Sequence, residues 1–173
     1  MNAQRYSPLS IGLHWLMLLL IAAVYATIEL KGNFLKGSET RELLKHWHFI
    51  LGVSVFALVW LRLLARWIKP VPALPDWQER LARLMHLALY GLMIALPLLG
   101  WLTLSAAGKP IPFFGLELPA LVANNAERAG QFKELHEALA QAGYWLIGLH
   151  AAAALLHHYV LRDDTLRRML PRT

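Results

Sequence analysis

Four stretches of this chain contain no Asp, Glu, Lys or Arg: Tyr6–Ile28, His46–Leu61, Leu84–Gly108 and Ala138–Leu161. A helix needs roughly 20 apolar residues to cross the hydrocarbon of a bilayer. Three stretches reach that length unaided. The second reaches it if Lys45 and Arg62 lay their stems along the lipid and keep their charges at the interfaces. Only 16% of the 173 residues are charged, against about a quarter in soluble domains, so the lipid reading has no competitor in composition. The fold class expected is all-α: an integral membrane bundle of four helices in one domain, residues 1–173, with the lipid bilayer as its first partner.

Local signals set the boundaries. Ser7-Pro8 gives helix one a cap and a proline at its first position, and the helix should run over 8–29. The first apolar run is too long for a signal-peptide core and has no small-residue cleavage site after it, so it reads as a span. Helix two is expected over 43–67, ended by Pro70, Pro72 and Pro75. Helix three is expected over 77–104 with a kink at Pro97. Helix four is expected over 132–162, after a proline-bearing connection lying partly at the interface. The side with the N-terminus, the second connection and the tail carries ten Lys and Arg, the other side seven. That bias puts both termini in the cytoplasm. It also accounts for the net charge of +6 without nucleic acid.

Histidine supplies the chemistry. There are eight, and ionisable groups in a membrane are expensive unless they do something. His136 and His150 are fourteen residues apart. On a helix that separation falls about 40° short of four turns and spans about 21 Å, so both face one way at different depths. Gly143 lies midway, where a bulky flat group can approach the backbone. Depth along the helices then supplies partners: His14 lies level with His150, and His48 with His136. Two imidazoles at one level can hold a haem iron from both faces. His46 competes with His48, but they point about 200° apart, and His48 has Gly52 one turn away on its own face. His48 is therefore the expected ligand. His157 continues the helix-four stripe and is placed at a haem edge, at a quinone or simply in interfacial water. His86 is expected to pack beside the site. The chain has no cysteine, which excludes disulfides and iron–sulfur clusters.

His14-Trp15, then His48-Phe49-Ile50-Leu51-Gly52, then His136-Glu137 with Gly143-Tyr144, Gly148-Leu149-His150 and His157-His158-Tyr159, resemble the bacterial cytochrome b561 family along the whole chain. The resemblance is nearest to its superoxide:ubiquinone oxidoreductase, or superoxide oxidase, type. It implies two haem b groups held by His14 with His150 and by His48 with His136, in a bacterial inner membrane. It also implies oxidation of superoxide on the periplasmic side and reduction of ubiquinone on the cytoplasmic side. Superoxide is an anion, so cations near the periplasmic haem would hasten its arrival, and Lys45 and Lys133 are the candidates. An alternative is a cytochrome b membrane anchor that passes electrons between quinone and a separate dehydrogenase. A histidine-using transporter without haem is a more distant one.

Overall fold

The computed structural model describes residues 5–68 and 76–170, the side chain of Asp76 excepted. Lys69, Pro70, Pro72, Pro75, Pro171 and Arg172 lie outside the described residues. Four long helices carry the chain: α1 over Pro8–Leu30, α2 over Glu39–Ile68, α3 over Asp76–Ala106 and α4 over Ala126–Leu156. All four contain windows long and apolar enough to cross a membrane, and the protein is a multi-pass membrane protein. Two-residue strands β1 (Pro112–Phe113) and β2 (Leu116–Glu117) pair antiparallel between α3 and α4.

The helices start where side chains replace missing backbone partners. The Ser7 hydroxyl accepts from the Ser10 amide at 3.2 Å, with Pro8 at the first position of α1. Asn125 caps α4 by accepting from the Arg128 amide at 3.0 Å. α2 begins four residues before the expected start and α4 six. Their first turns hold Glu39, Glu42 and Glu127. These acids suit a helix N-terminus, but they hide the helix from any reading based on apolar runs. α3 passes through Pro97 as one helix, although proline supplies no N–H there.

α1 packs on α2, α2 on α3 and α3 on α4, in chain order. The buried centre is Met17, Val55 and Val59, surrounded by Leu20, Ile21, Val24, Leu58, Tyr90, Met93 and Ile94. Every one of these residues belongs to α1, α2 or α3. Of α4 only Gly143 is buried. The fourth helix therefore packs its backbone mainly on α3, side chains bridge the wider space to α1 and α2, and that space is where the histidines meet.

Two other features close the ends. Near the β-hairpin, the Ser105 hydroxyl donates to the Trp101 carbonyl and accepts from the Leu121 amide, and the Asn125 amide donates to the Ala106 carbonyl. At the opposite end α4 loosens into a π-helical turn, His157–Leu161, which stops at Arg162 in the left-handed region with φ 55°. The tail then folds back, and Trp15 donates its indole N–H to the Met169 carbonyl at 2.8 Å.

Candidate functional site

Two histidine pairs bridge the gap between α4 and the rest of the bundle. The rings of His48 and His136 have centres 6.2 Å apart and those of His14 and His150 6.3 Å apart. Two imidazoles binding one metal from opposite sides, each nitrogen at about 2 Å, would have ring centres ~6 Å apart. The depth-matched partners are thus brought together at a spacing that suits a shared iron. His46, by contrast, is exposed, and among the described residues its ring is paired with that of Trp47 and with no other histidine.

The pair at the hairpin end is already set for ligation. The Nδ1 of His48 lies 3.0 Å from the Val24 carbonyl and that of His136 lies 2.9 Å from the Leu96 carbonyl. A carbonyl can only accept, so each Nδ1 carries the proton and each Nε2 keeps its lone pair for a metal. Space agrees with this. Nothing stands within 4 Å of a Cβ built on Gly52, while Gly100 on α3 lies in ordinary contact with the His136 ring. The residues present fit a haem at this level.

The pair at the other end differs. Arg62 brings Nη2 to 3.0 Å from the Nδ1 of His14, and Arg66 brings Nη2 to 3.4 Å from the Nδ1 of His86. A guanidinium can only donate, so here Nδ1 is the acceptor. His86 is also nearer the chemistry than expected: its ring centre is 5.8 Å from that of His150. His150 therefore has two imidazoles near it, one from α1 and one from α3. The spacing fits a haem at this level too, provided that Arg62 finds another acceptor.

Gly143 separates the two levels. Its open face is taken by a side chain of the protein itself: the Tyr25 hydroxyl sits where a Cβ would project, with Leu92 beside it. Tyr25 is fixed there by donating to the Ala140 carbonyl at 2.8 Å and by contact with the Tyr144 ring, 4.3 Å between centres. Tyr144 in turn donates to Glu29 at 2.6 Å. The glycine is visible in the sequence and the role of the tyrosine is not, because one tyrosine in an apolar helix looks like any other packing residue.

The remaining candidates lie at the ends. Lys45, half-buried, is paired with Glu42 at 2.6 Å and the exposed Lys133 with Glu137 at 3.4 Å. His157 meets none of the paired histidines and instead donates from Nδ1 to Asp163 at 2.5 Å across the π turn. Next to it a cavity of about 330 Å³ is lined by His158, Tyr159, Arg162, Asp163 and Arg167.

Comparison with known proteins accords with this arrangement. A family model described as prokaryotic cytochrome b561 matches residues 5–172. Over 172 residues the chain is 44% identical to cytochrome b561 homolog 1 of Escherichia coli (strain K12), covering 97% of this chain and 98% of that protein. It is 39% identical to a Yersinia pestis protein named probable superoxide oxidase CybB, with 98% and 97% covered. It is 35% identical to cytochrome b561 homolog 2 of E. coli, with 96% and 92% covered. With four membrane helices, histidines paired at haem spacing and a family match along nearly all of its length, the chain belongs to the prokaryotic cytochrome b561 family, whose members bind haem b and transfer electrons across a membrane.

Proposed function

We propose that this protein binds two haem b groups and carries electrons from superoxide, on the periplasmic side of a bacterial inner membrane, to ubiquinone on the cytoplasmic side. The observation that carries the reading is the double pairing, His48 with His136 and His14 with His150, at ring spacings of 6.2 and 6.3 Å. The two α4 members are fourteen residues apart, about 21 Å along the helix. Two centres at those depths would divide the hydrocarbon thickness into short electron steps. The similarity to a protein named probable superoxide oxidase supports the choice of donor. The Lys and Arg bias supports both termini lying in the cytoplasm, which makes the hairpin end periplasmic.

Haem held by these histidine pairs would supply one-electron transfer. The protein does the rest. Val24 and Leu96 hold two imidazoles in the tautomer that offers Nε2. Lys31 lies within electrostatic reach of Arg41, Lys45 and Lys133, a cationic group near the hairpin end that can gather an anion, with Glu137 in the same neighbourhood. At the cytoplasmic end, the cavity beside the His157–Asp163 pair has Tyr159, Val160 and Leu161 exposed around it. An apolar quinone could enter there from lipid and find polar groups for its ring oxygens. Two electrons from two superoxide ions and two protons from the cytoplasm convert one ubiquinone to ubiquinol.

The test uses the whole protein, purified alone in detergent. Its haem spectrum should be reduced rapidly by superoxide and reoxidised by added ubiquinone. If both haems are present yet superoxide reduces them no faster than free haem, the donor assignment fails. The anchor reading, in which a separate dehydrogenase subunit exchanges electrons with the haems, then takes its place.

A further inference from the structure

Among the described residues, three arginines at the cytoplasmic end have no negative partner. Arg62 and Arg66 come from the last turns of α2, one helical turn apart, and Arg168 comes from the tail that Trp15 holds against α1. All three are half-buried. The ion pairs among the described residues are Lys45–Glu42, Arg83–Glu79, Lys133–Glu137, His157–Asp163 and Arg167–Asp164; none includes these arginines. Their donors are placed on weak or unsuitable acceptors. Arg62 reaches the Ser10 carbonyl at 3.4 Å and the His14 ring, and Arg66 reaches the His86 ring and lies 6.0 Å from the centre of the Tyr90 ring. The Nε of Arg168 and the hydroxyl of Tyr90 are buried with no hydrogen-bond partner among the described residues. Tyr6 lies within electrostatic reach of all three guanidiniums and of Tyr90.

Half-buried like charges without a counter-ion are costly, and each buried donor left unmatched adds to that cost. A cluster of this kind is stable when an anion completes it. His14 requires the same change. For its Nε2 to hold a metal, its Nδ1 must carry the proton, and Arg62 can then no longer donate to it. The guanidinium needs an anionic acceptor within a few ångströms of the ligand ring. Planar guanidinium groups suit carboxylates, which they grip through two parallel hydrogen bonds.

We propose that Arg62, Arg66 and Arg168, with the hydroxyls of Tyr6 and Tyr90, form a site for a pair of carboxylates, and that these are the propionates of the haem held at His150. The inference rests on the reading that a haem binds at this level. The arginines then do two things: they anchor the haem with its acid groups toward the cytoplasm, and they raise its reduction potential. A reduced iron carries one positive charge less, so nearby cations favour the reduced form. The same chemistry could bind the phosphate of an anionic lipid, and the experiment separates the two sources.

The test is a spectroelectrochemical titration of the purified haem-loaded protein, resolving its two haem components, for Arg62→Gln, Arg66→Gln, Arg168→Gln and Arg62→Lys. In the glutamine variants the component lost in His150→Ala should titrate at lower potential, the other should not move, and Arg62→Lys should stay near wild type. If Arg62→Gln loses that haem, the Arg66→Gln and Arg168→Gln variants give the reading instead. Wild-type potentials in all three glutamine variants, with both haems retained, overturn the proposal. A potential that shifts in the wild type when zwitterionic nanodiscs are given anionic lipid, and no longer does so in Arg62→Gln, also overturns it and assigns the site to a headgroup. Failure of His150→Ala to remove any component would instead defeat the underlying haem placement.

Discussion

The hydroxyl of Tyr25 on α1 occupies the space in front of Gly143 on α4, where any other residue would carry its Cβ. The contact joins the two helices midway between the histidine levels. Gly143→Ala should therefore force Tyr25 out of place and break its bond to the Ala140 carbonyl. Overpacking of this kind costs about 1–3 kcal/mol. Tyr25→Phe removes the colliding atom, and the next nearest, Cζ, is at an ordinary 3.5 Å. The double variant should recover most of the loss, so the two changes will be far from additive. Thermal unfolding in detergent, followed by loss of the haem absorbance, measures this. If Tyr25→Phe does not relieve Gly143→Ala, the close approach is not what constrains Gly143.

Removing one imidazole of a pair should remove one haem. His48→Ala and His136→Ala should lose the same spectral component, and His14→Ala and His150→Ala the other. His86 adds a discriminating variant, because its ring is as close to His150 as that of His14. We expect His86→Ala to keep two haems per chain by pyridine haemochrome assay. One haem in His86→Ala together with two in His14→Ala would make His86 the partner of His150.

The spans were legible because charges interrupt apolar helices only at their ends, and the histidine pairs because fourteen residues of helix fix both a face and a depth. Four things were hidden. The first turns of α2 and α4 are polar and are held by Ser38 and Asn125, so hydropathy started both helices late. The role of Tyr25 depends on the glycine opposite, 118 residues away in the chain. Arg62 and Arg66 look like topological charges, since nothing in a linear sequence shows which side chains converge from different helices. The π turn was equally invisible, and within it His157 binds Asp163.

The lysines named for steering are weakened by their neighbours. Glu42 and Glu137 offset Lys45 and Lys133, whereas Lys31 has no ion-pair partner among the described residues. Lys31→Glu should therefore slow reduction of the haems by superoxide more than Lys45→Glu or Lys133→Glu. All these effects should shrink as added salt brings the Debye length to about 8 Å near 0.15 M. Stopped-flow rates at low and high salt decide it. Equal rates in all three variants and no salt dependence would mean that the patch does not steer.

The last prediction concerns the join between α4 and the tail. Asp163 is pushed upward by partial burial, but hydrogen bonds from His157 and from the Thr165 amide outweigh this and hold its carboxyl below the usual range. A carboxyl with a lowered value in the folded state stabilises the fold above its unfolded value, about 3.9, and loses that contribution as pH falls through the lowered one. The tail should thus stay docked at neutral pH and loosen in acid, below about pH 4. Because Trp15 donates to Met169, loosening should expose Trp15 and speed hydrogen exchange over Asp164–Leu170. Asp163→Asn removes the carboxylate at every pH, so its tail should exchange faster already at pH 7 and respond little to acid. A wild-type tail whose exchange, corrected for the intrinsic pH effect, is the same at pH 3 and pH 7 would show that the His157–Asp163 bond does not hold it.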